Sequence, residues 1–265
     1  MTRLAVIGAG VMGEALVRGL LGSGWLAGDI VLADVRADRL RELAAELGVG
    51  TAASNVEAAR SADGVLLATK PQDALTALEG LGGHAPRDGV VSIVAGLRTT
   101  SISVAIGGTP SVVRAMPNTP ARVGKGVTAL AAGRDASEAT RELAAAIFSA
   151  VGPVVWIGEE HLDAVTAISG SGPAYVFLLA EAMVDGAVAL GLPRPVAETL
   201  TYHTIEGAGA MLTSSGEHPA QLRNQVTSPG GTTAAALTVL EAMAVRAAVI
   251  EAARAAQRRS RELGE

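Results

Sequence analysis

The first thirteen residues constrain this chain more than any other stretch. Leu4–Ile7 is an unbroken apolar run of strand length, and it passes directly into Gly8-Ala9-Gly10-Val11-Met12-Gly13. From Val11 to Leu21 the apolar residues Met12, Leu16 and Leu20 recur at helical spacing. In this setting Gly8 permits a tight turn, Gly10 leaves the backbone bare for a close approach, and Gly13 lets helix pack on strand. The helix start then offers unpaired N–H groups and a partial positive charge, a ready seat for phosphate. A ligand-free turn also uses glycine, but the direct strand-to-helix placement favours the pyrophosphate of a dinucleotide.

The rest of the first half repeats that alternation. Ile30–Ala33, Val65–Thr69, Val90–Ala95, Ser111–Ala115, Val127–Ala131 and Val154–Ile157 read as strands. Ala37–Leu47, Pro71–Leu81, Thr100–Ile106 and Ser137–Ala150 read as helices. Strands apolar on both faces, separated by helices, predict a doubly wound, mostly parallel sheet covered on both sides. Beyond Gly158 the strand signals stop. Leu162–Ser169, Ala174–Leu190, Pro195–Leu212, Pro219–Val226 and Thr233–Leu263 all read as helices. The expected class is α/β, with a Rossmann domain over residues 1–158 and an all-helical substrate-binding and dimerisation domain over 159–265.

Tyr175–Leu190 is apolar nearly all round, whereas a helix with one dry side shows a stripe. It is expected to pack against a second subunit, the alternative being the central helix of one bundle. The longest uncharged run, 164–180, is interrupted by Gly170, Gly172 and Pro173, so a buried helix is expected there and no membrane span. Net charge is −5 without a basic patch, which speaks against nucleic-acid binding. The absence of cysteine removes disulfides, thiolate metal sites and a cysteine nucleophile, and no His-Glu-x-x-His spacing points to a metal. With Met1 running straight into a strand, the expected location is the cytoplasm.

Several residues stand where a dinucleotide would be read. Asp34 closes the second strand, 21 residues past Gly13, where a carboxylate accepts hydrogen bonds from the adenosine ribose of NAD. Arg36 follows, with Arg39 beyond; its guanidinium either clamps a 2′-phosphate or is solvated at a helix start. NADPH and NADH are both open. Ala68-Thr69-Lys70-Pro71 and Val94-Ala95-Gly96 follow the carboxyl ends of strands, where ligands bind in such sheets. Asn55 precedes a short helix and is read either as a cap or as a contact.

The helical half carries a second candidate. Ser228-Pro229-Gly230-Gly231-Thr232-Thr233 precedes a long helix, and its N–H groups and hydroxyls suit a small carboxylate; helix capping is the plainer alternative. Ser169-Gly170-Ser171-Gly172-Pro173 is read as close helix packing. The histidines do not look catalytic: His84 and His161 suit a surface, His203 lies within a helix, and His218 beside Pro219 suits a cap.

Ala115-Met116-Pro117-Asn118-Thr119-Pro120, Ser169–Tyr175, Glu217-His218-Pro219 and Ser228–Thr233 together resemble pyrroline-5-carboxylate reductases over nearly the whole chain. The resemblance implies reduction of 1-pyrroline-5-carboxylate to L-proline by NAD(P)H, and a dimer interlocked through the helical domain, often assembled into a decamer. It places the substrate on Ser228 and Gly230–Thr233, with Thr233 at the ring nitrogen, and the dinucleotide along Gly8–Met12, Thr69–Pro71 and Asn118. Asp34 departs from the family's common small or amide residue. An imine is already electrophilic, so proximity, orientation and an anion cradle suffice and no strong acid is needed. A 3-hydroxyacid dehydrogenase would carry a lysine in the helix over 171–190, and none is there. A dinucleotide sensor without catalysis would have no need of the 228–233 cradle.

Overall fold

The computed structural model describes residues 2–81, 86–107 and 111–264. They form two compact units: Met1–Ser171 with Ala255–Glu265, and Gly172–Arg254.

The first unit is built on an eight-stranded sheet in the order β3-β2-β1-β4-β5-β6-β7-β8. The strands are β1 (Leu4–Ile7), β2 (Ile30–Ala33), β3 (Gly50–Thr51), β4 (Gly64–Leu67), β5 (Val90–Ser92), β6 (Val112–Met116), β7 (Thr128–Ala132) and β8 (Val154–Trp156). Every pairing is parallel except β6 with β7. Helices α1 (Val11–Gly22), α2 (Ala37–Leu47), α3 (Asn55–Arg60), α4 (Ala74–Leu78), α5 (Thr99–Ala105) and α6 (Glu138–Ser149) lie between them in the chain, and α7 (Leu162–Val165) follows β8.

The strand alternation sorts two dry layers. Leu4 and Val6 of β1 meet Leu16 and Leu20 of α1, Leu43 of α2, and Ile147 and Phe148 of α6. Ala5 and Ile7 join the other layer, with Ala58 of α3, Leu78 of α4 and Ile102 of α5. Each large apolar side chain buried in this way contributes about 1.5–3 kcal/mol before entropy is counted. Strand order reverses between β1 and β4, so the loops after these strands diverge and open a crevice at their carboxyl ends.

Two strands end earlier than the apolar runs predict, at Leu67 and Ser92. Ile93 N still donates to Leu67 O at 3.0 Å, but the chain then leaves the ladder while staying largely buried. Apolar character follows burial, not pairing, and so overruns the strand. Two-residue β3, at the sheet edge, carried no sequence signal.

In the second unit lie α8 (Gly172–Ala189), α9 (Arg194–Ser214), α10 (Pro219–Gln225) and α11 (Thr232–Ala242), and α12 (Val245–Glu262) begins there. The single helix expected over 233–263 is two helices, broken at Met243 and Ala244, where Ala244 takes φ 55°. Neither residue is glycine or proline, so the break is silent in the sequence. A π-helical turn, Thr166–Gly170, precedes α8.

The expected burial of α8 is not met within this chain. Val184 alone among its residues is buried, while Phe177 and Leu178 are 63% and 67% exposed. Glu159–Ala189 is as long and apolar as a membrane-crossing helix, by length and composition alone. The same apolar surface equally suits a partner helix.

Candidate active site

The fingerprint glycines differ in what they make room for. Gly8 takes φ +104°, and a Cβ there would stand 2.6 Å from the Ala68 carbonyl oxygen after β4. A Cβ on Gly13 would meet the Gly8 carbonyl oxygen at 2.2 Å. Gly10, the residue that starts α1, has nothing within 4 Å of that position, and no side chain caps the helix. Gly8 and Gly13 thus close the β1–α1 corner, and Gly10 leaves open space at a bare helix start, as a pyrophosphate requires. Ala9 is buried inside the turn, whereas Val11 is exposed at the helix start.

Asp34, just past β2, is bound up in this corner. Its Oδ2 accepts from Ala9 N at 2.7 Å and from Arg36 Nη2 at 3.0 Å; its Oδ1 accepts from Arg36 N and Nε, both at 2.9 Å. Burial pushes the carboxyl upward, but the hydrogen bonds from Arg36 and Ala9 outweigh it and hold the group below its ordinary value. The Asp34 side chain is 7% exposed and that of Arg36 57%. Arg39 turns instead to Glu14 of α1.

Across the crevice, Thr69 Oγ1 is buried with no hydrogen-bond partner. A buried hydroxyl without a partner costs about 1–3 kcal/mol, so one in the strand-end loop fits a site that a polar ligand completes. Lys70 and Pro71 are exposed beside it, and Pro71 opens a 3-10 turn. Val94 N donates to Ser92 Oγ at 3.2 Å, Ala95 is half-buried, and Gly96 is buried with φ +76°. The open space at Gly10 and the unsatisfied Thr69 hydroxyl both fit a dinucleotide.

Asn55 is not the cap of α3. Ser54 is, its Oγ accepting from Glu57 N at 3.1 Å, while Asn55 Nδ2 donates to Ala77 O at 3.0 Å. Buried Asn118 accepts from Val127 N at 3.0 Å, fastening the β6–β7 connection. A Cβ on Gly170 would stand 2.7 Å from Met116 Cε, the close packing read from that cluster.

In the second unit, Gly230 takes φ +70°, and Gly231 N donates to Ser228 O at 3.0 Å, shaping the turn that opens α11. No side chain caps α11, whose first two residues are Thr232 and Thr233. Thr227 and Thr238 nearby give their hydroxyls to the carbonyls of Arg223 and Ala234. Among the described residues the hydroxyls of Ser228, Thr232 and Thr233 are committed to no such bond. Uncommitted hydroxyls and first-turn N–H groups are the kind of arrangement that suits a small anion.

The histidines behave as a surface and a cap. His218 Nδ1 accepts from Ala220 N at 3.2 Å and the His218 backbone N–H donates to Gln221 Oε1 at 3.0 Å, closing the start of α10. His161 and His203 lie beside Glu160 and Glu206 at 3.6 and 3.4 Å; His84 lies outside the described residues. Among the described residues no cluster of side chains suits a metal. Sequence reading missed Glu159, whose carboxylate accepts from Thr99 N and Oγ1 at 2.8 and 2.7 Å and lies 3.5 Å from buried Arg114. No local pattern marks an acid whose partners are distant in the chain.

A family model described as pyrroline-5-carboxylate reductase dimerisation matches residues 159–263, and one described as NADP oxidoreductase, coenzyme F420-dependent, matches residues 3–96. The pyrroline-5-carboxylate reductase of a Synechocystis strain is 46% identical over 265 residues, covering 99% of this chain and 98% of that protein. The solved pyrroline-5-carboxylate reductase of Coxiella burnetii superposes with TM-score 0.93 at 37% identity, covering 100% of this chain and 99% of that one. The solved pyrroline carboxylate reductase of Plasmodium falciparum, with NADP bound, superposes with TM-score 0.87 at 29% identity, covering 100% of this chain and 98% of that one. On fold, site and these likenesses, the chain belongs to the pyrroline-5-carboxylate reductase family.

Proposed function

We propose that this chain reduces 1-pyrroline-5-carboxylate to L-proline, with a bare α1 start in the first unit and an anion cradle in the second as its two binding elements. The observation that carries the reading is the start of α11, where no side chain caps the helix and the hydroxyls of Thr232 and Thr233 give no hydrogen bond into it, which suits a carboxylate. Residues 1–158 serve the dinucleotide, and residues 159–265 the substrate and the subunit contact.

A bound reduced nicotinamide supplies a hydride to the imine carbon, and the ring nitrogen takes a proton. The chain's own residues bind and orient. Gly8–Met12 seat the pyrophosphate at the helix start. Asp34 and Arg36 face the adenosine ribose. Asn55, Ala68–Pro71, Val94–Gly96 and Asn118 line the remainder of the dinucleotide. Ser228 and Gly230–Thr233 hold the substrate carboxylate, and the Thr233 hydroxyl hydrogen-bonds the ring nitrogen. Orientation and electrostatic fit are enough to carry a reaction on an electrophile of this kind. Because Asp34 and Arg36 make opposite demands, both NADPH and NADH serve, with a weak preference between them.

The working unit is a homodimer that covers the apolar surface of α8, supported by the exposure of Phe177 and Leu178 and by the dimerisation model over 159–263. A decamer as its larger assembly rests on the family resemblance. The enzyme works in the cytoplasm, without membrane or nucleic acid. Oxidation of NADPH or NADH on addition of 1-pyrroline-5-carboxylate, with L-proline accumulating, is the test.

A further inference from the structure

Gly96 is glycine for a reason that a dinucleotide does not supply. Its φ is +76°, and a Cβ there would stand 2.8 Å from the Leu263 carbonyl oxygen and 3.0 Å from Gly264 Cα. The demand is mutual, since a Cβ on Gly264 would stand 2.9 Å from the Gly96 carbonyl oxygen. Gly10, where a ligand is expected, has nothing within 4 Å. Backbone of the loop after β5 therefore touches backbone just past α12 with no side chain between.

The turn that makes this contact is itself fastened to the first unit. Buried Ser260 donates through Oγ to Asp163 Oδ1 at 2.7 Å, and Arg261 Nε lies 4.0 Å from Asp163 Oδ2. Gly264 N donates to Arg261 O at 2.9 Å, closing the end of α12. On its other side the Gly96 loop runs into α5, whose first residue, Thr99, is held by Glu159. A polar cleft of about 390 Å³ lies among Gly96, Arg114, Glu159, Asp163, Ser260 and Gly264. The loop after β5 is thus gripped from both sides by carboxylates and backbone outside the nucleotide crevice.

We propose that the C-terminal turn Ser260–Gly264 is a positioning element: a backbone clasp that holds the Val94–Gly96 loop in place for the dinucleotide. This rests on the reading of that loop as part of the dinucleotide site. The clasp selects glycine at both positions and makes the last residues of the chain part of the binding apparatus.

The test compares the full chain with a chain ending at Glu262 and with Gly264→Val, which keeps the chain length and guards against a truncation that fails to fold. Arg259→Ala, on an exposed arginine paired with Glu262, is the control. Hydrogen exchange and fluorescence titration with NADPH and NADH are read on each. The expected result is amide exchange over 94–98 at least tenfold faster in both variants, with β1 and β4 unchanged. Dinucleotide Kd and KM should rise about fivefold or more while kcat changes less than twofold, and Arg259→Ala should match the full chain. Unchanged exchange over 94–98, or faster exchange spread evenly across the sheet, overturns the clasp. Faster exchange there with unchanged dinucleotide affinity overturns the positioning role. A full chain that binds neither dinucleotide sinks the cofactor reading instead, and the exchange comparison still decides the clasp.

Discussion

The Ala9 N–H donates to Asp34 Oδ2 at 2.7 Å, so the acid at the end of β2 is tied to the glycine turn after β1. Arg36 occupies the rest of that carboxylate through three donors. A 2′-phosphate therefore competes with Asp34 for a guanidinium that is more than half exposed, and pairs of that kind are worth about 1 kcal/mol or less. Asp34→Ser should raise the NADPH-to-NADH ratio of kcat/KM about fivefold, and Arg36→Ala should lower it by a similar factor. Steady-state rates with both dinucleotides at one ionic strength check this. Ratios that stay put in both variants mean that neither residue meets the ribose.

Ionised Asp34 also carries a pH signature. Its folded value lies below the ordinary 3.8, so its contribution to stability is complete above that value and is lost as pH falls through the folded one. Urea unfolding of wild type and Asp34→Asn should show a constant difference from pH 7 down to about pH 5, shrinking only below about pH 4. A difference that already shrinks between about pH 7 and pH 6 would assign the titration to another group.

Thr233 stands second in α11, with its hydroxyl free of any bond into its own helix. Losing a hydrogen bond to a charged partner costs about 1.5–3 kcal/mol, and to a neutral one about 0.5–1.5. Thr233→Ala should cut kcat/KM for the imine roughly ten- to a hundredfold and leave dinucleotide affinity alone. Unchanged efficiency would reduce Thr233 to a helix-start residue.

Ala244 separates α11 from α12 at φ 55°. A left-handed alanine costs roughly 1–2 kcal/mol that glycine avoids. Ala244→Gly should therefore stabilise the protein by about 0.5–1 kcal/mol in chemical denaturation. In one continuous helix the same change would cost about 1 kcal/mol, so the sign alone decides.

The β1–α1 corner was legible because its constraint is local: glycine spacing and an apolar run sit side by side, and the strand begins and ends at the residues read. The ends of β4 and β5 were not, because Ala68 and Ile93 stay packed after leaving the ladder. The break at Ala244 falls in Ala242-Met243-Ala244-Val245, which holds no glycine or proline to mark it. Gly96 reads as one more glycine beside a crevice, and only the fold brings Gly264 against it. The all-round apolar character of α8 was visible, but its cover is not within the chain.

The central claim is that this chain moves a hydride from NAD(P)H to a cyclic imine. The most direct measurement follows absorbance of the reduced dinucleotide with purified full-length protein, adding 1-pyrroline-5-carboxylate to one set of reactions and a 3-hydroxyacid with the oxidised dinucleotide to another. The account predicts NADPH and NADH consumption only when the imine is present, with one L-proline formed per dinucleotide oxidised. No consumption with the imine under either dinucleotide, or turnover of the hydroxyacid instead, would contradict it.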